Sequence, residues 1–135
     1  MTELDQAISV AIANQGKQED VNKVYLTLLR TALFIPIHLE KEGVQKAEAF
    51  RPLYAKIEGH YFMSAFDTLE RLERWAGGEL KQMNYVELTG RDVIAGIKEE
   101  VYLCLNIDTP FYKEFSPDEI KRLKMLVARL DQLKA

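Results

Sequence analysis

We expect an α+β domain from these 135 residues: a mixed sheet of about five to six strands covered by helices, in the order α-α-β-β-β-α-β-α-β-β-α. Three observations predict it. Two runs rich in aromatic and aliphatic residues, Leu53 to Ile57 and Tyr61 to Phe66, meet at Glu58-Gly59, and the second feeds straight into a stretch of helical period. Along the rest of the chain, segments with apolar residues at helical spacing are interspersed with short apolar runs of strand length. With 47% hydrophobic and 29% charged residues, the composition is that of an ordinary globular protein, so a packed core is expected rather than disorder. The length suits one domain over residues 1–135.

Glu3 to Asn14 reads as a helix with Leu4, Ile8, Ala11 and Ile12 on one side, stopped by Gln15-Gly16. A second helix, from about Glu19 to Arg30, turns Val21, Val24, Tyr25, Leu28 and Leu29 inward. It merges into a strand, Ala32 to Ile37, placed at an edge or bulge because Pro36 cannot donate to a ladder. Glu40 to Ala49 is charged and poor in large apolar residues, and reads as a loop or short exposed helix.

In the central hairpin a two-residue turn at Glu58-Gly59 pairs Ile57 with His60 and Ala55 with Phe62. Gly59 supplies a positive φ, although Glu-Gly is a weaker turn signal than Asn-Gly. Strand alternation puts Leu53, Ala55, Ile57, Phe62 and Phe66 on one face and Tyr54, Lys56, Tyr61 and Met63 on the other. Asp67 or Thr68 caps the next helix, whose buried face is Leu69, Leu72, Trp75 and Ala76, with Trp75 packed against the sheet. Gly77-Gly78 ends it.

A polar connection leads to a strand, Tyr85 to Leu88. Thr89 then caps a short helix through Lys98 that turns Val93, Ile94 and Ile97 inward. Val101 to Ile107 is apolar on both faces and therefore a central strand. Asp108-Thr109-Pro110 turns the chain into a last short strand, Phe111 to Phe115. Ser116-Pro117-Asp118-Glu119 combines a capping Ser, an N1 Pro and an N3 Glu. It opens a final helix with Ile120, Leu123, Val127, Leu130 and Leu133 as its apolar stripe.

Charge and composition exclude several functions. A net charge of −3 with no basic stripe gives no general attraction to nucleic acid or to an anionic membrane. No apolar run is long enough to span a bilayer, and Met1-Thr2-Glu3-Leu4-Asp5 lacks the regions of a signal peptide. Cys104 is the single cysteine, so no internal disulfide can form. We expect a cytoplasmic protein.

No residue set announces catalysis. Cys104 lies mid-strand with neither His38 nor His60 tied to it by a local motif, so it reads as a buried structural thiol. The same two histidines lack the close ligand spacing of a metal site. Glu99-Glu100, Asp118-Glu119 and Glu70/Glu73 pair carboxylates at helix ends or on wet faces. Gly77-Gly78 and Gly90 make no phosphate loop. We assign no catalytic residue, metal or cofactor. Two groups stand out as candidates for binding. Asn106 and Asp108, with Thr109, leave a central strand at its carboxyl end, where α/β sheets place ligands, although such residues also bond turn backbone. Tyr54, Tyr61 and Met63 form an aromatic and Met face suited to a protein partner, unless the N-terminal helices cover it.

The ordered segments VNKVYLTLLRTALFIPI, FMSAFDTLERLERWAGG, YVELTGRDVIAGI and VYLCLNIDTPFYKEFSPDEIKRL resemble the N-terminal domain of bacterial SseB-like proteins, the serine-sensitivity-enhancing type. The resemblance runs from about Val21 to Leu123. The chain differs from many members in having Asp108-Thr109-Pro110 after the Asn, and in ending at Ala135 without the C-terminal domain of longer members. The resemblance implies an α+β domain with no established enzyme activity and no assigned cofactor. Three functions remain in play: a non-enzymatic protein-interaction module, the leading one; a small-molecule-binding or enzymatic domain centred on Asn106 and Asp108; and a secretion-associated regulator or effector. The third follows from a type III secretion label that the family sometimes carries, in part a name collision with a translocon protein. An exposed edge strand can also support a homodimer by sheet extension.

Overall fold

Capping chemistry sets the first boundaries. In the computed structural model, which describes residues 1–37, 53–77 and 84–134, Thr2 and Asp5 form a reciprocal capping box that opens helix α1, Glu3–Ala13. Gln15 and Gly16, both at positive φ, turn the chain into α2, Gln18–Arg30. Strand β1 follows at Ala32–Ile37, then β2 at Tyr54–Ile57 and β3 at His60–Ala65. Thr68 accepts from the Arg71 N–H to cap α3, Leu69–Ala76, which ends on Gly77 at φ 64°. After β4, Asn84–Thr89, the Thr89 hydroxyl caps α4, Gly90–Gly96. Strands β5, Val101–Leu105, and β6, Lys113–Phe115, lead to α5, Pro117–Lys134. The element order is therefore the one expected. His38, the Glu40–Ala49 stretch and the polar connection beginning at Gly78 lie outside the described residues.

The six strands divide between two sheets. Four of them, in the order β2-β3-β5-β6, form a mixed sheet: β3 and β5 are parallel, and the two outer pairs are antiparallel. The other two, β1 and β4, pair antiparallel from Ala32↔Thr89 to Ile37↔Asn84. The expected single sheet is split because, among the described residues, β1 reaches the chain just beyond β3 through one isolated residue pair. Phe34 and Phe66 exchange backbone bonds of 2.7 and 2.9 Å, and Leu53 N–H adds one to the Pro36 carbonyl at 3.0 Å. In the hairpin Ile57 pairs with His60 and Ala55 with Phe62, as the turn at Glu58-Gly59 predicts, with both turn residues at positive φ.

Alternation along the mixed sheet puts Met63, Ala65, Val101, Leu103, Leu105 and Phe115 on one face. All are buried in one cluster with apolar residues of α1, α2, α4 and α5 and with Leu33 and Ile35 of β1. Phe66, Leu72, Ala76 and Cys104 are buried outside that cluster. Trp75 is half-buried, its ring 5.5 Å from that of Phe66. Two apolar residues depart from expectation: Ile12 is 70% exposed and Leu133 78% exposed. Ile12 lies in the last turn of α1, beyond the buried Leu4, Asp5, Ala7 and Ile8. No helix among the described residues is long and apolar enough to cross a membrane.

Candidate functional site

The carboxyl ends of the parallel strands β3 and β5 carry a dense polar cluster. Strand β5 stops at Leu105 because Asn106, at φ 56°, turns left-handed, a conformation Asn tolerates better than most residues. Its backbone N–H donates to the Ala65 carbonyl at 2.8 Å, and its side-chain oxygen accepts from the Asp67 N–H at 3.1 Å. Asn106 thus holds the β3–α3 turn from the neighbouring strand. Its carbonyl accepts from Thr109 through both N–H and hydroxyl, and the Thr109 hydroxyl accepts from the Phe111 N–H at 3.1 Å. These turn bonds explain why β6 begins at Lys113 rather than Phe111. Asn106 is fully buried, and its side-chain NH2 has no hydrogen-bond partner among the described residues. Asp108, also left-handed at φ 65°, is exposed, so the two candidate polar residues do not converge.

Beside Asn106 lies an ionic cluster that residue types alone did not announce. The Arg71 guanidinium grips both oxygens of Asp5, at 2.8 and 2.5 Å, and one oxygen of Asp67 at 2.6 Å. The Thr2 hydroxyl donates to the other Asp67 oxygen at 2.6 Å while accepting from the Asp5 N–H. The Phe111 ring lies 5.4 Å from the guanidinium. Asp5 and Asp67 have side chains at most 1% exposed. Burial pushes the Asp5 carboxyl upward, but hydrogen bonds from Arg71 and Thr2 outweigh it and hold the group below its ordinary value of 3.8. Those bonds, above all the one to Asp5, raise the Arg71 pKa in turn. Asp5 is therefore ionised near neutrality and unsuited to act as a general acid. The Thr2-x-x-Asp5 capping pattern and the four-residue spacing of Asp67 and Arg71 were visible in sequence; the 66-residue contact that joins them was not.

The remaining candidates separate. Tyr54 and Tyr61 are 38% and 45% exposed and meet edge to face at 6.3 Å, with the Lys56 ammonium 5.5 Å from the Tyr61 ring. Met63 shares their face but is buried in the core. Cys104 is buried and accepts from the Tyr112 hydroxyl at 3.6 Å; burial pushes its thiol pKa up, the reverse of what a nucleophile needs. His60 is exposed and packs beside Tyr102. Glu99, Glu100, Glu70, Glu73 and Asp118 are exposed, whereas Glu119 accepts from Tyr25 and Lys113. Among the described residues no group of three or more His, Cys, Asp or Glu could hold a metal ion.

No curated protein and no solved structure matches the chain. A model of the SseB protein N-terminal domain matches residues 4–122, from α1 into α5, and so takes in the α1 helix and most of the ionic cluster around Arg71. By that match over most of its length, the chain belongs to the SseB N-terminal domain family.

Proposed function

We propose that the chain is a bacterial, cytoplasmic, non-enzymatic interaction module, a single domain that takes up an extended segment of a partner protein along β2. One observation carries this reading: every residue of β2 is exposed, and β2 is the outermost strand of the four-stranded sheet among the described residues. Such a strand offers main-chain donors and acceptors to an added strand, while Tyr54, Tyr61 and the 57% exposed Ile57 offer the side-chain contacts that would give selectivity. The buried Met63 is then a core residue rather than part of the contact surface. The test is affinity capture of the tagged protein from its native cells, with mass spectrometry, beside the Tyr54→Ser/Tyr61→Ser double variant. The expected result is one partner in near-stoichiometric yield, lost in the double variant while its thermal midpoint is kept. A blank capture with the wild-type chain overturns the stable-partner reading. Recovery of the chain's own second copy would make β2 a homodimer edge instead.

A second reading, a small-molecule site at the ends of β3 and β5, has a specific observation in its favour: the buried NH2 of Asn106, which has no partner among the described residues. A ligand supplying an acceptor there would be detected by screening against the wild type and against Asn106→Gly, which keeps the left-handed backbone. The secretion-associated reading rests on the family label, and a translocation assay decides it.

A further inference from the structure

The ionic cluster at the start of α1 carries an unbalanced charge. Asp5 and Asp67 set two carboxylates against one guanidinium, that of Arg71. The Asp5 side chain is fully buried, that of Asp67 is 1% exposed and that of Arg71 17% exposed. Glu3, the other acid in the first turn of α1, is exposed and pairs with Arg30, so its charge is met outside the cluster. Among the described residues no second cation is paired with Asp5 or Asp67. Buried charges are expected to have partners, and here one negative charge is left over.

The Thr2 nitrogen is placed to supply the missing cation. Its N–H donates to Asp5 Oδ2 at 2.9 Å, while the Thr2 hydroxyl donates to Asp67 Oδ2 at 2.6 Å. Thr2 therefore touches both carboxylates, but through a peptide nitrogen and a hydroxyl that carry no charge. Met1, on the other side of that peptide bond, is 77% exposed and takes no part in the hydrogen bonds of the cluster.

We propose that the Met1–Thr2 bond is a processing site, and that Thr2 is the N-terminus of the working protein. Hydrolysis adds one water across the amide. Met1 leaves with the new carboxylate, and the Thr2 nitrogen takes both protons of the water to become an ammonium. Water is the only co-reactant, and a peptidase that cuts between Met and a small residue supplies the step. The new charge arises 2.9 Å from Asp5 Oδ2 and brings the cluster to two anions and two cations. The dipole of α1 disfavours an ammonium at its N-terminus, but it acts as about half a charge, whereas two full carboxylates face the ammonium. The site lies apart from the β2 edge and stands or falls independently of it.

The test compares two forms of the full chain, cut from an upstream leader so that one begins at Met1 and the other at Thr2. The intact mass of the chain purified from its native cells is expected to match the Thr2 form. At pH 7 and low salt the Thr2 form should have a thermal midpoint higher by at least about 2 °C. Asp67→Asn, which leaves Asp5 and Arg71 as a balanced pair, should abolish or reverse that gain, whereas a merely steric effect of Met1 would survive it. Followed by NMR of isotope-labelled Thr2, the ammonium should titrate above about pH 9, against about 7.7–8.0 for an ordinary α-amine, because the carboxylates favour its charged form. Should Asp67→Asn fail to fold, this titration decides the charge balance alone. A native chain that keeps Met1, extends upstream of it or is acetylated at Thr2, equal midpoints for the two forms, a gain unchanged by Asp67→Asn, or an ordinary Thr2 titration each overturns the proposal.

Discussion

Asp5 is the residue whose environment departs furthest from what its position in the chain suggests. It sits one turn into an N-terminal helix, yet its side chain is fully buried and carries an Arg71 fork. Its folded pKa is below 3.8, so it binds protons less readily folded than unfolded. Its stabilising contribution is complete above the unfolded value and drains away as pH falls through that value toward the folded one. Acid titration of stability should therefore show a steep loss beginning near pH 4 in the wild type. Asp5→Asn should be about 3 kcal/mol less stable at neutral pH, since a buried pair is broken, and should lose less on acidification. Urea melts from pH 7 to pH 3 measure both; parallel pH profiles for the two proteins would rule Asp5 out as the acid-sensitive group. Sequence reading placed Asp67 at a helix start. It could not supply Asp5 as the partner of Arg71, because a charge on a helix face gives no sign of what packs over it. The local turn bonds of Asn106 were legible from its type, although the strand was expected to run through it to Ile107 rather than stop at Leu105. The reach of Asn106 across to the Asp67 N–H depends on β3 and β5 being neighbours, which no local pattern encodes.

At the scale of elements the capping chemistry was the most legible layer. Thr89, Ser116-Pro117 and Gly77 each mark a boundary where the backbone groups require one. Element ends were less so: α4 stops at Gly96, not Lys98, because Ile97 is extended and bonds back to the Val93 carbonyl. Gly90 shows why β4 can pass directly into α4. Its N–H donates to the Thr31 carbonyl at 2.8 Å, and a Cβ added to it would overlap the Leu28 carbonyl oxygen at the end of α2. The obstacle is helix backbone, which cannot swing aside. Gly90→Ala should therefore cost about 3 kcal/mol or more, whereas Gly96→Ala, where no atom of the described residues lies within reach, should be neutral or stabilise by up to about 1 kcal/mol. Chemical denaturation of the two variants compares them directly. Equal stabilities would mean that α2 and α4 are not in the close contact described.

For the molecule as a whole, the alternation of helices and strands identified the α+β class, but not the division of six strands into four and two. At that division stands an isolated pair, Phe34 with Phe66, where β1 meets the residue just after β3 instead of running along the strand. Long-range ties of this kind also decide how α1 is held. Its apolar face enters the common core through Leu4, Ala7 and Ile8, and its N-terminus is fastened to the start of α3 by Thr2 and Asp5. The two attachments differ in kind. The apolar one tolerates small shifts, whereas the ionic one depends on a fork geometry across 66 residues of chain. Removing the fork should loosen α1 before it loosens the rest. In Arg71→Met, hydrogen exchange of α1 amides should accelerate by at least about tenfold more than that of α5 amides, because α5 is held to the core by Ile120, Leu123 and Val127, whereas the bonds of the ionic cluster tie α1 to the start of α3. Uniform acceleration across both helices would show instead that the domain opens as one cooperative unit, with the Arg71 cluster contributing to global stability alone.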